Sequence, residues 1–270
     1  VGGHRGLKRA VAGSSFKCNS WDHGLRGPYI QPSHGSPRHS GSMVLTVYTN
    51  PISQPSRAVS WACLYEGTEV DEKVIMAGKD TAKDDYRAQN PIPAIPRLDD
   101  DGFVLNESHA IMCYLGDKFN WKLYPSEPKV RARIHQYLHW HHTGARNITL
   151  ALFAPFLRLD KGTSKEQVAF YRKKVDSALR TLEAWLSQSK WLCGDEPTLA
   201  DLSCYCEVGQ CLDKFCGLFK VHGVDVSPYP KLGAWLRECE KLEGFQQSHE
   251  ALSKLGPTLR ETAQRNASKL

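Results

Sequence analysis

Val44-Leu45-Thr46-Val47-Tyr48-Thr49-Asn50-Pro51-Ile52-Ser53-Gln54-Pro55-Ser56-Arg57-Ala58-Val59 decides how this chain folds. Val44 to Thr49 is apolar, β-branched or aromatic, which predicts a strand. Asn50-Pro51 marks a turn, because the residue before a proline is pushed out of the helical region. Pro55 suits the first position of a helix, where a missing N–H costs nothing. Ser53 therefore stands just before a helix N-terminus, where unpaired N–H groups and the helix dipole favour an anion. Two compatible roles are open to it: a cap of the helix, or a hydroxyl donor to a bound thiolate.

Outward from this stretch, a helix is predicted from Pro55 to Glu66, stopped at Gly67. A strand follows near Val70 to Met76, then a short charged helix over Lys79 to Ala88. Asn90 to Leu98 leads into a third strand, Asp101-Gly102 signals a hairpin, and Phe103 to Leu105 returns. Ser108 to Phe119 places Ile111, Met112 and Leu115 on one helical face. Strand–helix–strand, helix, strand–strand–helix over residues 43–120 is the thioredoxin-like arrangement. Residues 121–127 read as a linker. Over residues 128–256 strand patterns vanish, and helices are predicted for Val130 to Phe156, Ser164 to Leu186, Leu199 to Phe215 and Pro230 to Leu242. Thr198-Leu199-Ala200-Asp201 has the form of a capping box, with aspartate for the usual glutamate. Residues 257–270 read as a tail, solvated from Arg260 onward. The fold class is thus an α+β domain followed by an all-helical one.

Composition narrows the function. The 270 residues are 41% hydrophobic and 24% charged, as in an ordinary globular chain. No apolar run approaches the ~20 residues that span a bilayer, so no membrane segment is expected. The net charge of +6 does not point to nucleic acid. Residues 1–42 hold six Lys/Arg against one acid, and the rest is near neutral without a basic, aromatic-interleaved surface. Nine cysteines without a CxxC read as reduced packing residues. His135, His139 and His142 share a helix face, but the outer two lie two turns apart and do not converge on one ion; no metal site is expected. Residues 1–42, rich in Gly, Ser, His and Arg, read as a disordered leader or translated upstream sequence, with an organelle transit peptide as the alternative. Ser268-Lys269-Leu270 has the form of a peroxisomal import tripeptide, which implies an import receptor as partner and the peroxisome, with the cytosol second, as location.

Taken in order, Ser53-Gln54-Pro55-Ser56-Arg57-Ala58-Val59, Ile95-Pro96, Glu107-Ser108-His109-Ala110-Ile111 and Trp140-His141-His142-Thr143 resemble a theta-class glutathione transferase, most of all its plant and algal members. The resemblance covers roughly Met43 to Leu252. It implies the glutathione transferase fold, glutathione as co-substrate, electrophiles or organic hydroperoxides as the second substrate, and a homodimer. It implies that Ser53 activates the glutathione thiolate and that Arg146 faces the sulfur or a leaving anion. Ile95, before a cis Pro96, would pair its backbone with the cysteinyl unit. Glu107 would meet the γ-glutamyl ammonium, and Ser108 would hold the neighbouring carboxylate. Thr81 falls where relatives carry His or Gln near the glycyl carboxylate.

The magnitudes suit a serine. A free thiol titrates at about 8.5, and lowering that by about two units takes roughly 2.7 kcal/mol. One hydroxyl donor to an anion contributes about 1.5–3 kcal/mol, and a helix terminus up to about 2. No general base is required. The rival reading is a non-catalytic module of the same fold that carries apolar ligands or docks partners. A thiol–disulfide enzyme is disfavoured, because the helix start carries Ser53 and no cysteine. Ala94 stands where relatives often place a lysine, which weakens the charge opposite the glycyl end. Ala94→Lys is therefore expected to lower the Michaelis constant for glutathione; steady-state kinetics showing an equal or higher constant would refute this.

Overall fold

The computed structural model describes residues 45–157 and 164–267, so the readings of residues 1–42 and of Ser268-Lys269-Leu270 lie outside the described residues. Strand β1 (Thr46–Thr49) alternates as its sequence predicts: Val47 and Thr49 are buried and Thr46 and Tyr48 half-buried. It pairs in parallel with β2 (Asp71–Val74), Thr46 opposite Asp71, and antiparallel with β3 (Arg97–Asp100), Tyr48 opposite Arg97. β3 pairs antiparallel with β4 (Phe103–Asn106), which gives the order β2-β1-β3-β4. Asp101 and Gly102 turn the hairpin with φ of 52° and 87°, and such turns favour residues that tolerate positive φ.

Helix α1 (Gln54–Glu66) follows β1 and ends where expected: Gly67 takes φ 65°, and Thr68 N–H bonds back to Cys63 O at 2.9 Å. The charged segment after β2 is helical only over α2 (Asp84–Gln89); Lys79 to Lys83 forms turns tied by Asp80, which accepts from Met76 N–H. The next helix, α3 (Ser108–Phe119), has the predicted bounds and packs against α1.

The helical domain opens with α4 (Pro128–Thr143), capped by the Glu127 side chain on Val130 N–H at 2.7 Å. The helix predicted from Val130 to Phe156 is not continuous. It breaks at Gly144 and resumes as α5 (Arg146–Ile148), a π-helical stretch (Thr149–Phe153) and α6 (Ala154–Leu157). The side chain of Asn147 braces the break, donating to Thr143 O at 2.6 Å and to Gly144 O at 2.8 Å, the latter oxygen also accepting Asn147 N–H at 3.0 Å. Helix α7 (Lys165–Leu186) starts on a Ser164–Gln167 capping box and buries Val175, Leu179, Leu182 and Leu186 along one stripe.

Helix α8 (Leu199–Gly209) is shorter than predicted; turns follow it, and a short α9 (Leu218–Val221) begins after Gly217 at φ 60°. Next come α10 (Pro230–Cys239) and α11 (Phe245–Ala267). The expected tail is thus corrected up to Ala267: α11 continues through Pro257, with Ala263 fully buried. A boundary at Pro257 misses this because the burial comes from α6 and α9, far away in sequence. At Gly256 a Cβ would lie 2.6 Å from Phe215 O, so only glycine lets α11 approach this closely.

The expected Thr198–Asp201 box forms the centre of the helical domain. The Asp201 carboxylate is fully buried and accepts from Thr198 N–H, the Thr198 hydroxyl, Leu192 N–H and Trp235 Nε1–H, all at 2.9, 3.0, 2.9 and 2.8 Å. Burial raises its pKa while these donors pull it back down. Removing the carboxylate orphans several buried donors at once. Asp201→Ala is expected to cost about 3 kcal/mol or more, read as the shift in urea midpoint; a loss under about 1 kcal/mol would contradict this account.

Candidate functional site

The loop before α1 is built by Asn50. Its Oδ1 accepts Ile52 N–H at 3.0 Å, its Nδ2 donates to Ile75 O at 3.1 Å, and its carbonyl accepts Ser53 N–H at 2.9 Å. Ser53 is the N-cap residue of α1 in extended conformation, but its side chain makes no capping bond. Its carbonyl accepts Arg57 N–H at 2.9 Å. The backbone alone starts this helix, and a half-buried hydroxyl remains at the positive end of the dipole.

The other residues singled out by the sequence gather on adjoining elements. The Ile95–Pro96 bond is cis, with Ile95 half-buried at the start of β3. Glu107 and Ser108 lie at the start of α3, Glu107 exposed and Ser108 half-buried. Glu107 has φ 68° and ψ 115°, a strained backbone for a side-chain-bearing residue. Thr81 differs from expectation: it is 1% exposed, and its hydroxyl accepts Gly78 N–H at 3.0 Å. As folded it braces a turn and does not face an open cleft. Ala94 is exposed, and its carbonyl accepts from Tyr86 OH at 2.7 Å.

Behind these residues the two domains meet in a polar patch. Gln54, Ser108, His109, His141, Ser203 and Glu207 line a small cavity with room for about one water. Two buried atoms without a hydrogen bond belong to this lining, Gln54 Nε2 and Glu207 Oε2. His109 Nε2 meets Ser203 Oγ at 2.8 Å, and His109 sets its ring edge-on to His141 at 4.7 Å. His141 Nδ1 bonds Tyr137 OH at 3.1 Å. Glu207, fully buried, accepts Thr149 N–H at 3.3 Å where the π-helical stretch begins. Arg146 Nη1 lies 3.6 Å from Glu207 Oε2, and His141 Nε2 3.8 Å from it. The break at Gly144 thus places Arg146 on the buried carboxylate.

The electrostatics of the patch are set by burial. Burial, then the neighbouring His141 and His142, lower the pKa of His109 to about 3. Burial, then the Arg146 charge, lower His141 to about 3. Both imidazoles are neutral at pH 7. Of the histidines grouped in the sequence, His135 bonds Tyr124 OH at 2.7 Å and His142 lies 5.4 Å from the His109 ring; among the described residues there is no group of three or more metal-ligating side chains. The described cysteines are free thiols, and burial pushes Cys63 and Cys193 up to about 12.

Sequence reasoning passed over His141, Ser203, Glu207 and Arg57. A signal existed for two of them: Ser203, Glu207 and Gln210 recur at helical spacing along an otherwise apolar, cysteine-rich helix.

Comparison with known proteins agrees with this architecture. Residues 47–127 match the family model described as Glutathione S-transferase, N-terminal domain, and residues 146–243 match Glutathione S-transferase, C-terminal domain. The chain is 33% identical over 231 residues to glutathione S-transferase T1 of Arabidopsis thaliana, covering 79% of this chain and 91% of that protein. It is 32% identical over 225 residues to glutathione S-transferase theta-1 of Bos taurus, covering 78% and 90%. Among solved structures, human glutathione transferase theta-2, in complex with glutathione and an unknown ligand, superposes with a TM-score of 0.67 at 27% identity, covering 80% of this chain and 90% of that one.

The neutral histidines predict an acid sensitivity. Unfolded, His109 and His141 titrate near 6.5; folded, at about 3. Their contribution to stability is therefore complete above pH 6.5 and is lost as pH falls towards about 3, because the unfolded chain takes up protons that the folded one refuses. Urea unfolding at about pH 7 and about pH 5 should show falling stability, with a shallower fall in His109→Gln. Equal slopes in the two proteins would contradict the assignment.

Proposed function

Since the chain belongs to the theta class of the glutathione S-transferase family and is such an enzyme, we propose that the Ser53 hydroxyl donates to the glutathione sulfur and holds it as the thiolate that attacks the electrophile. The observation that carries this reading is the Ser53 side chain itself. It sits at the N-terminus of α1, half-buried, and is not engaged in capping that helix. The hydroxyl and the unpaired first-turn N–H groups favour an anion at that point by the few kcal/mol required.

The rest of the site supports the same pose. A glutathione whose sulfur lies at Ser53 extends its cysteinyl unit along the Ile95 backbone before Pro96 and its γ-glutamyl end towards Glu107 and Ser108, where α3 presents its own N-terminus. The glycyl end meets the exposed, uncharged Ala94, a weakly charged environment. Arg146, 3.6 Å from the buried Glu207, serves in this reading as a cation facing the reacting sulfur or the leaving anion, restrained by that carboxylate.

The same thiolate accounts for reduction of organic hydroperoxides, the second activity in this proposal. Sulfur attacks the terminal peroxide oxygen, the O–O bond breaks, and the alkoxide leaves as alcohol after taking a proton from solvent. A second glutathione displaces hydroxide from the sulfenic acid, giving the disulfide and water. No metal takes part in either step.

Ser53→Ala is expected to lower kcat with a halogenated aromatic and with cumene hydroperoxide by about 10²-fold, while the melting temperature stays within a few degrees because the hydroxyl makes no capping bond. Activity within about threefold of wild type would remove Ser53 from the mechanism. No turnover by the wild type with any electrophile would favour the binding module.

A further inference from the structure

Arg57 lies one turn into α1 and is 1% exposed. Its Nη1 donates to Ile52 O at 2.7 Å and to Pro51 O at 3.4 Å. Its Nη2 donates to Cys206 O of α8 at 3.2 Å, and its Nε has no acceptor. All of these acceptors are main-chain carbonyls. A guanidinium taken out of water is stabilised most directly by a carboxylate. Here its fork is spread across the loop that leads into Ser53 on one side and the helical domain on the other.

The geometry gives this placement a chemical meaning. The carbonyl carbon of Ile52 is bonded to the Ser53 nitrogen, so fixing the Ile52 oxygen fixes the planar peptide unit on which Ser53 is mounted. The Cys206 carbonyl fixes the same guanidinium to α8. We propose that Arg57 is a positioning residue for Ser53: it locks the Pro51 and Ile52 carbonyls against α8 and thereby aims the Ser53 hydroxyl at the glutathione sulfur. The inference rests on the reading of Ser53 as the thiolate donor. Lysine substitutes only in part, because a point ammonium lacks the planar fork that serves several carbonyls at once.

The test is the ionisation curve of the thiol of bound glutathione, followed by ultraviolet thiolate absorbance in the intact protein. Arg57→Met is expected to leave about tenfold less thiolate at neutral pH than wild type, with kcat falling in step and the Michaelis constant for glutathione within about threefold. Arg57→Lys should fall between the two. Leu232→Ala, a core truncation in α10, should lower the melting temperature without moving the curve. If Arg57→Met does not fold, Arg57→Lys decides alone: a curve superposing on wild type overturns the proposal. So does a shift in Leu232→Ala as large as that in the Arg57 variants, which would make the effect one of general destabilisation. A normal thiol in the wild-type complex would sink the Ser53 reading and this inference together. A depressed thiol that Ser53→Ala raises and both Arg57 variants leave unmoved would sink the inference alone.

Discussion

Everything in this molecule is arranged around α1 being covered on both sides. Ala58, Val59, Trp61, Ala62 and Cys63 are all buried, and the helix packs against α3 of its own domain and against α8 and α11 of the other. Trp61 shows the constraint best. Its ring meets Tyr205, Phe245 and His249 edge-on, and its Nε1–H donates to Glu243 O at 2.9 Å. Burial of its middle leaves the ends of the helix partly open, and their unpaired polar groups are met by solvent, protein or ligand. At the N-terminus stands Ser53, half-buried and without a capping bond.

The domain boundary is therefore also the floor of the site. The thioredoxin-like half contributes Gln54, Ser108 and His109, and the helical half contributes His141, Ser203 and Glu207. Such a patch is costly to bury unless its members satisfy one another. His109 and Ser203 do, and His141 and Glu207 are met by the Tyr137 hydroxyl and the Thr149 N–H, while Gln54 Nε2 and Glu207 Oε2 stay without a hydrogen bond. With the imidazoles uncharged, the buried Glu207 carboxylate is left to face guanidinium groups, Arg146 at 3.6 Å and, beyond it, Arg57.

Much of the thioredoxin-like half was legible because its signals are local. Pro55, Gly67 and Asp101-Gly102 each fix the backbone through their own conformational limits, and the α3 stripe is plain periodicity. The helical half was legible in outline only. The break at Gly144 depends on a side chain three residues away reaching back to two carbonyls. The course of α11 past Pro257 depends on contacts with α6 and α9 that no local window contains. For the site, the strand–helix junction drew attention to Ser53, and the family resemblance, not local pattern, gave Glu107 and Ser108 their roles. The buried supports Arg57 and Glu207 stayed hidden, since an isolated charged residue in a helix ordinarily faces solvent. Thr81 was misjudged for the converse reason: position in a motif says nothing about burial.

The torsion at Glu107 sets two demands on one residue against each other. Holding a non-glycine residue at φ 68°, ψ 115° costs of order 1–3 kcal/mol, a sizeable part of the net stability of a typical domain. Glycine would relieve that tension but carry no carboxylate. The chain carries an acidic side chain there all the same, with a strained backbone where α3 begins and an exposed negative charge beside Ser108. Efforts to harden this protein against heat by relaxing its backbone would thus remove the acidic side chain that the proposed glutathione pose uses at this one residue.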